Sequence, residues 1–277
     1  MRKKTSTVIA SLVIIVGLGL VLYPTLSNIL KTIAYHRAIE SFEYAVTNLD
    51  DETYEEILTA AQAYNEALLA QGGIRTNLTD EELEEYEGQL RIDSSGIMGY
   101  VVVPKINVSL PIYHGTEETV LQVGVGHLAG TSLPIGGKGT HSVLSGHTGL
   151  PSAKLFTNID QLAEGDTFTV RVLREVLTYE VDQITVVLPT EVDALQLEED
   201  QDYCTLLTCT PYGVNSHRLL VRGHRIPTPP GEDAAHDGTD GGRRWIGYLL
   251  LIASAVHVVA LLLAVALTRR RRKHRHK

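Results

Sequence analysis

Residues 205–223 read TLLTCTPYGVNSHRLLVRG. Two β-rich runs, YCTLLTC (203–209) and HRLLVRG (217–223), flank a stretch that holds Pro211 and Gly213. Pro and Gly favour turns, so 210–216 is expected to join two antiparallel strands. Residues that flank such a loop face one another across the hairpin. Cys209 and Arg218 are placed for that pairing, which would put a thiol and a guanidinium on one face. Side chains alternate along a strand, so Cys204, five residues earlier, points to the opposite face. Five strand residues span ~16 Å, whereas a disulfide needs Cα atoms within ~7 Å. The chain has only these two cysteines, so at least one free thiol is expected.

The character of this hairpin extends upstream. MGYVVVP (98–104), VSLPIYH (108–114), HSVLSG (141–146) and the long run 166–189 are rich in β-branched and aromatic residues between Gly and Pro. Strands without long intervening helices predict a barrel or a sandwich over residues 96–225. Before them, residues 24–73 form an N-terminal helical region. Within it Tyr54, Ile57, Leu58, Ala61, Tyr64 and Leu68 recur at helical spacing, Asp50 or Asp51 supplies a cap, and Gly72-Gly73 a stop. Residues 74–95 are acidic and weakly periodic, which predicts a loop with one short helix. Residues 226–245 read as a polar, Pro/Gly-rich linker.

The net charge of −9 over 277 residues is an average over unlike segments. Residues 1–23 carry three basic groups and no acid, and residues 243–277 carry nine and no acid. The middle, 24–242, holds 12 basic and 33 acidic residues, a charge of −21. A folded part so acidic repels phosphates and is a poor partner for nucleic acid. A hydrophobic content of 44% excludes a wholly disordered chain.

Each basic end abuts an uncharged apolar run. Residues 246–267 have the ~20-residue length of a membrane span, and 7–23 are near the lower limit. Lys and Arg flanks favour the cytoplasmic side. The 1–6 tail and the 268–277 tail are therefore both expected inside, with 24–242 exported. Pro24-Thr25-Leu26 follows Tyr23 where a cleavable leader would need a small-residue site, so an uncleaved anchor is preferred to a signal peptide.

The chemistry centres on Cys209. A thiolate needs a neighbouring cation or base to form at neutral pH. His147, in SGHTG, follows the HSVLSG run and sits beside glycines, a place suited to an accessible imidazole. Histidine can take the thiol proton and later protonate a leaving amine, and arginine can stabilise an oxyanion. Cys, His and Arg suffice for acyl transfer. Read alone, each has a plainer account: a small buried thiol, a structural imidazole, an exposed ion-pair partner. His114, His127, His141 and His224 read as structural or surface residues. The N-x-[ST] matches at Asn77 and Asn107 read as chance occurrences.

The stretch 205–223 resembles the active-site signature of sortases. GYVVVPKINVSLPIYHGT (99–116), GVGHLAGTSLP (124–134) and THSVLSGHTGLPSAKLFTNIDQL (140–162) resemble the class C, pilus-building branch of that family. The resemblance implies a mainly β fold: a closed eight-stranded β-barrel with N-terminal helices, here flanked by two transmembrane helices. It implies Cys209 as nucleophile, His147 as general acid/base and Arg218 as the residue that stabilises the oxyanion and positions substrate. It implies an LPxTG-like sorting signal as substrate, a pilin lysine as acceptor, and no metal or organic cofactor. Class C enzymes usually carry a lid with an Asp-Pro-aromatic motif. In this chain Asp80 corresponds to the lid Asp, within a candidate lid at 74–95, but the Pro and the aromatic are absent. Two rivals stay open: a sortase that anchors proteins to peptidoglycan, and a non-catalytic, membrane-tethered assembly scaffold.

Overall fold

The computed structural model describes residues 2–150 and 152–230. The expected span at 246–267, the basic tail and most of the linker lie outside the described residues.

The chain opens on a long helix, α1 (Arg2–Thr47), with Pro24 inside it. The apolar run at 7–23 and the first part of the helical region are thus one continuous element. From Val16 to Thr47 this helix is long and apolar enough, by length and composition, to cross a membrane. Its C-terminal part buries Ile29, Tyr35, Ile39, Phe42 and Val46 at spacings of three to six residues. Phe42 meets the Tyr100 ring edge-on at 6.3 Å between centroids. One apolar stripe of a helix therefore seals one side of the β-structure.

A second helix, α2 (Asp51–Ala70), starts where Asp50 accepts a hydrogen bond from the Thr53 backbone N–H. Asp51 and Glu52 in its first turn suit the positive end of the helix dipole. Gly72 and Gly73 stop it with φ of +96° and +102°. The acidic segment that follows contains α3 (Asp80–Gly88), whose start is a capping box between Thr79 and Glu82.

Eight strands follow: β1 (Ile97–Val103), β2 (Val108–His114), β3 (Val125–His127), β4 (Thr140–Ser145), β5 (Thr167–Val172), β6 (Glu175–Val187), β7 (Asp202–Thr210) and β8 (His217–Ile226). A one-turn helix, α4 (Glu118–Leu121), precedes β3. The strands close in the order β1-β2-β3-β4-β7-β8-β6-β5. Two pairs are parallel, β2 with β3 and β4 with β7, and the rest antiparallel. The long run at 166–189 is a hairpin rather than one strand. It turns at Leu173, whose φ of +49° reverses the chain without a Gly or Pro to mark it.

Barrel closure leaves no open sheet edge. Val101, Leu144, Phe168, Tyr179, Cys204, Leu206 and Val221 point inward as part of the main core. Phe168 and Tyr179 stack at 5.5 Å. At Gly99 any side chain would drive a Cβ to 2.3 Å from the Arg171 carbonyl of β5, so only glycine lets these strands close up.

Candidate active site

The sequence-predicted residues belong to neighbouring elements of the barrel: Cys209 to β7, Arg218 to β8 and His147 to the segment that follows β4. In the β7–β8 ladder Cys209 is the direct partner of Arg218. The loop between them is held by Val214 and Asn215 backbone N–H groups donating to the Pro211 carbonyl at 3.0 and 2.9 Å. The Thr210–Pro211 peptide is cis.

His147 comes from the other side of β7. β4 and β7 run parallel, with Ser145 opposite Leu207. The pairing continues past the end of β4, for the Gly146 N–H donates to the Leu207 carbonyl at 3.0 Å and Thr208 Oγ1 to the Gly146 carbonyl at 2.7 Å. Counted two residues past this matched pair, that register sets His147 level with Cys209. Since β4, β7 and β8 are adjacent in the barrel, continuing that register past β4 puts His147, Cys209 and Arg218 in one row. Neighbouring strands are ~4.8 Å apart, within reach of an imidazole or a guanidinium.

The two cysteines occupy opposite faces of β7. Cys204 is fully buried in the core, and burial pushes its thiol well above the ordinary range. Cys209 is partly exposed, and neither is in a disulfide. Arg218 donates from Nη1 to the carbonyls of Asn215 and His217 at 3.3 and 3.1 Å. Its Nε and Nη2 have no protein partner among the described residues, so donors remain for a ligand.

Beyond the row the outer face is apolar. Val143, Leu195 and Leu220 are buried there, with Leu207, Leu128, Ile74, Val187 and Ala194 against them. Further along, His141 Nδ1 contacts the Gln196 carbonyl at 3.0 Å and Nε2 the Thr205 hydroxyl at 2.7 Å. Arg222 makes a two-pronged pair with Asp182 at 3.0 and 2.9 Å and lies 4.1 Å from the Tyr203 ring centroid. Asp182 sits at a register shift in β6, where a bulge re-aims the side chain.

Asp80 is exposed at the start of α3, with no hydrogen bond or ion pair among the described residues. The 74–95 segment is fastened elsewhere. Buried Tyr86 places its hydroxyl 2.9 Å from His127 Nδ1, donates to the His127 carbonyl at 3.0 Å and accepts from the Gly115 N–H at 3.0 Å. Arg75 pairs with Glu82, and the His114 ring contacts the Gln89 carbonyl at 2.7 Å. Desolvation lowers the His127 pKa to about 4 and that of His114 below its ordinary value.

Two residues at the row escape a reading of the sequence alone. Glu118 of α4 lies 3.2 Å from His147 Nε2. Tyr212, 69% exposed, packs its ring over Gly149, where an added Cβ would sit 2.7 Å from the ring. The available signals were an acidic pair after Gly115-Thr116 and a lone aromatic in the turn after Cys209. Among the described residues, no group of three or more His, Cys, Asp or Glu side chains could hold a metal ion.

A thiol, an imidazole and a guanidinium on neighbouring elements are the groups that acyl transfer by a cysteine uses. A family model described as the sortase domain matches residues 101–226. Sortase C1 from Streptococcus agalactiae is 52% identical, covering 70% of this chain and 100% of that one, with a TM-score of 0.68. Sortase C of Streptococcus pneumoniae, a structure described for catalysis and pilin substrate specificity, is 42% identical, covering 69% of this chain and 97% of that one at a TM-score of 0.62. Sortase D of Bacillus subtilis is 27% identical over 64% of this chain and 84% of its own length. The chain belongs to the sortase family of cysteine transpeptidases, and its structural neighbours are of the class C branch.

Proposed function

We propose that this sortase polymerises pilins on the outer surface of a membrane. Cys209 is the nucleophile, His147 the general acid/base and Arg218 the oxyanion donor. The observation that carries the reading is their row across β4, β7 and β8. The likeness to a sortase C described in terms of pilin substrates supports the choice of acceptor.

In this reading His147 takes the Cys209 proton. The thiolate attacks the carbonyl between Thr and Gly of an LPxTG-like signal. Arg218 donates hydrogen bonds to the resulting oxyanion. Collapse expels the glycine amine, which receives the proton from His147, and leaves a thioester on Cys209. A lysine amine of a second pilin attacks that thioester, an isopeptide bond forms, and the thiol is regenerated after the amine proton passes through His147. No cofactor takes part. Leu207, half-buried two residues before Cys209, offers the signal's aliphatic residues an apolar contact.

The basic flanks at 1–6 and 268–277 support a two-pass topology with both termini cytoplasmic and the barrel outside. The segment 74–95 is the candidate lid. With Asp80 exposed, Tyr86 is its anchor and Asp80 is not joined to Cys209.

The test is to incubate the full chain, in membranes, with a pilin bearing an LPxTG signal and with a cell-wall peptide. Ladders of isopeptide-linked pilin are expected, and none with Cys209→Ala. Ladders from Cys209→Ala would overturn the catalytic reading. Transfer to the wall peptide alone would replace polymerisation by anchoring.

A further inference from the structure

Among the described residues, Glu118 is the charged side chain bonded to His147, with Oε2 3.2 Å from Nε2. Its other oxygen, Oε1, accepts from Gln122 Nε2 at 2.9 Å. Gln122 in turn offers its backbone carbonyl to Lys31 Nζ of α1 at 3.1 Å. Glu118 is therefore held at both carboxylate oxygens, at one end of a relay that begins on the long N-terminal helix. The loop on the other side of His147 is tied to the same turn of α1. The Lys154 N–H donates to Asn28 Oδ1 at 3.0 Å, and Ser27 Oγ donates to the Ser152 carbonyl at 3.3 Å. α1 braces both segments that hold the imidazole.

We infer that Glu118 is a positioning residue for His147, committing Nε2–H to a carboxylate so that Nδ1 is the nitrogen that serves the thiol. This rests on the reading of His147 as general acid/base. Neutral His147 donates Nε2–H to Glu118. Nδ1 accepts the Cys209 proton, which yields thiolate and imidazolium, and the same proton then passes to the leaving glycine amine. Glu118 stays ionised throughout. The Gln122 hydrogen bond and then the nearby imidazole hold its carboxyl below the ordinary range. The other ionisable groups on the neighbouring elements include Cys209 on β7, Arg218 one strand further, Tyr212 against Gly149, and exposed Lys154 on the following loop. Glu117 turns toward Gly115 instead. Because Glu118 is well exposed, water and salt screen its charge, and its effect is that of a surface pair rather than of a buried one.

The experiment uses the full chain in detergent micelles with an internally quenched LPxTG peptide. Glu118→Gln keeps the shape and removes the charge. Its kcat/KM at neutral pH is expected to fall about two- to five-fold, the range of an exposed ion pair. The difference in kcat/KM from the parent shrinks at high salt, and Glu118→Asp, which keeps the charge, restores the rate. Nitrogen NMR of the parent is expected to show His147 as the Nε2–H tautomer, a bias that Glu118→Ala removes. Rates and tautomer signals that superimpose on the parent would overturn the inference. His147→Ala separates the two ideas. If it keeps turning over peptide, the acid/base reading fails; if it is inactive while the Glu118 variants match the parent, the role of Glu118 alone fails.

Discussion

The outer face of β4, β7 and β8 carries the same residue types at both ends. At one end lie His141 and Arg222, at the other His147 and Arg218, with positions on β7 opposite each. The difference is in their partners. His141 is fully buried, with both ring nitrogens in hydrogen bonds, and Arg222 is locked onto Asp182 and the Tyr203 ring. The turn at Asp193–Leu195 and its neighbour Gln196 lie over that end, through Leu195 and the Gln196 carbonyl. At the other end His147 has an exposed carboxylate for company, and Arg218 spends one nitrogen on the nearby carbonyls of Asn215 and His217. A saturated imidazole or guanidinium holds a structure together, and an unsaturated one is free to act on a ligand. Sequence position along one face does not separate the two; the cover above it does.

The largest expected effect comes from exchanging the insult between the two ends. With His147 in its proposed role of general acid/base, His147→Ala should cut kcat by about 10²–10⁴-fold with the melting temperature unchanged. His141→Ala should do the reverse. It leaves the thiol row intact but opens a cavity and strands the Thr205 hydroxyl and the Gln196 carbonyl, at a cost of roughly 2–3 kcal/mol in stability. Turnover of the LPxTG peptide and thermal denaturation, taken on both variants, check this. A His141→Ala enzyme that melts like the parent but has lost kcat would break the comparison.

Acid should find the covered histidines next. Desolvation lowers the pKa of His141 and of His127 from the ordinary 6.5 to about 4. A histidine buried neutral is protonated more readily in the unfolded chain. Its contribution to stability is therefore whole above pH 6.5 and is lost as pH falls toward 4. At about 1.4 kcal/mol per pH unit, each group removes roughly 3 kcal/mol across that window. Asp202, whose carboxyl burial raises, works in the opposite sense, since its protonation relieves a buried charge. Thermal melts between pH 7.5 and 4.5 should fall steeply, and His141→Gln, already weaker at neutral pH, should fall less steeply. Parallel slopes for parent and variant would remove His141 from the acid response.

What was legible in the sequence is what local pattern can encode. The Cys209–Arg218 facing follows from two strands and a turn, and the burial of Cys204 against the exposure of Cys209 from a period of two. The break after α1 was marked by Asp50, the end of α2 by Gly72-Gly73. Elements too short to repeat their own period were not legible. β3 is three residues, all buried, and α4 is four residues with none buried. Neither the hairpin turn at Leu173 nor the docking of Tyr86 onto His127 has a local cue, since Tyr86 is one aromatic among acids and its partner is 41 residues away. The parallel β4–β7 register, which when continued brings His147 level with Cys209, is likewise non-local, for those two residues are 62 apart in the chain.

The smallest effect tests the same contrast within a single strand. Cys204 and Cys209 are chemically identical and differ in face alone. Iodoacetamide should alkylate the native chain once, at Cys209, and a second time only after denaturation, because a buried thiol is neither accessible nor ionised. Cys204→Ala removes a sulfur from packed surroundings and no catalytic group. It should cost about 1 kcal/mol, at the low end for a core truncation, and leave peptide turnover within about two-fold. The core around it, with Leu144, Leu206 and Val221, belongs to the main cluster, so the small cavity has many neighbours to share it. A Cys204→Ala chain that retained its stability but lost turnover would show that the inner face of β7 sets the geometry of the outer one, and that the two faces are not the separate regions that their burial makes them.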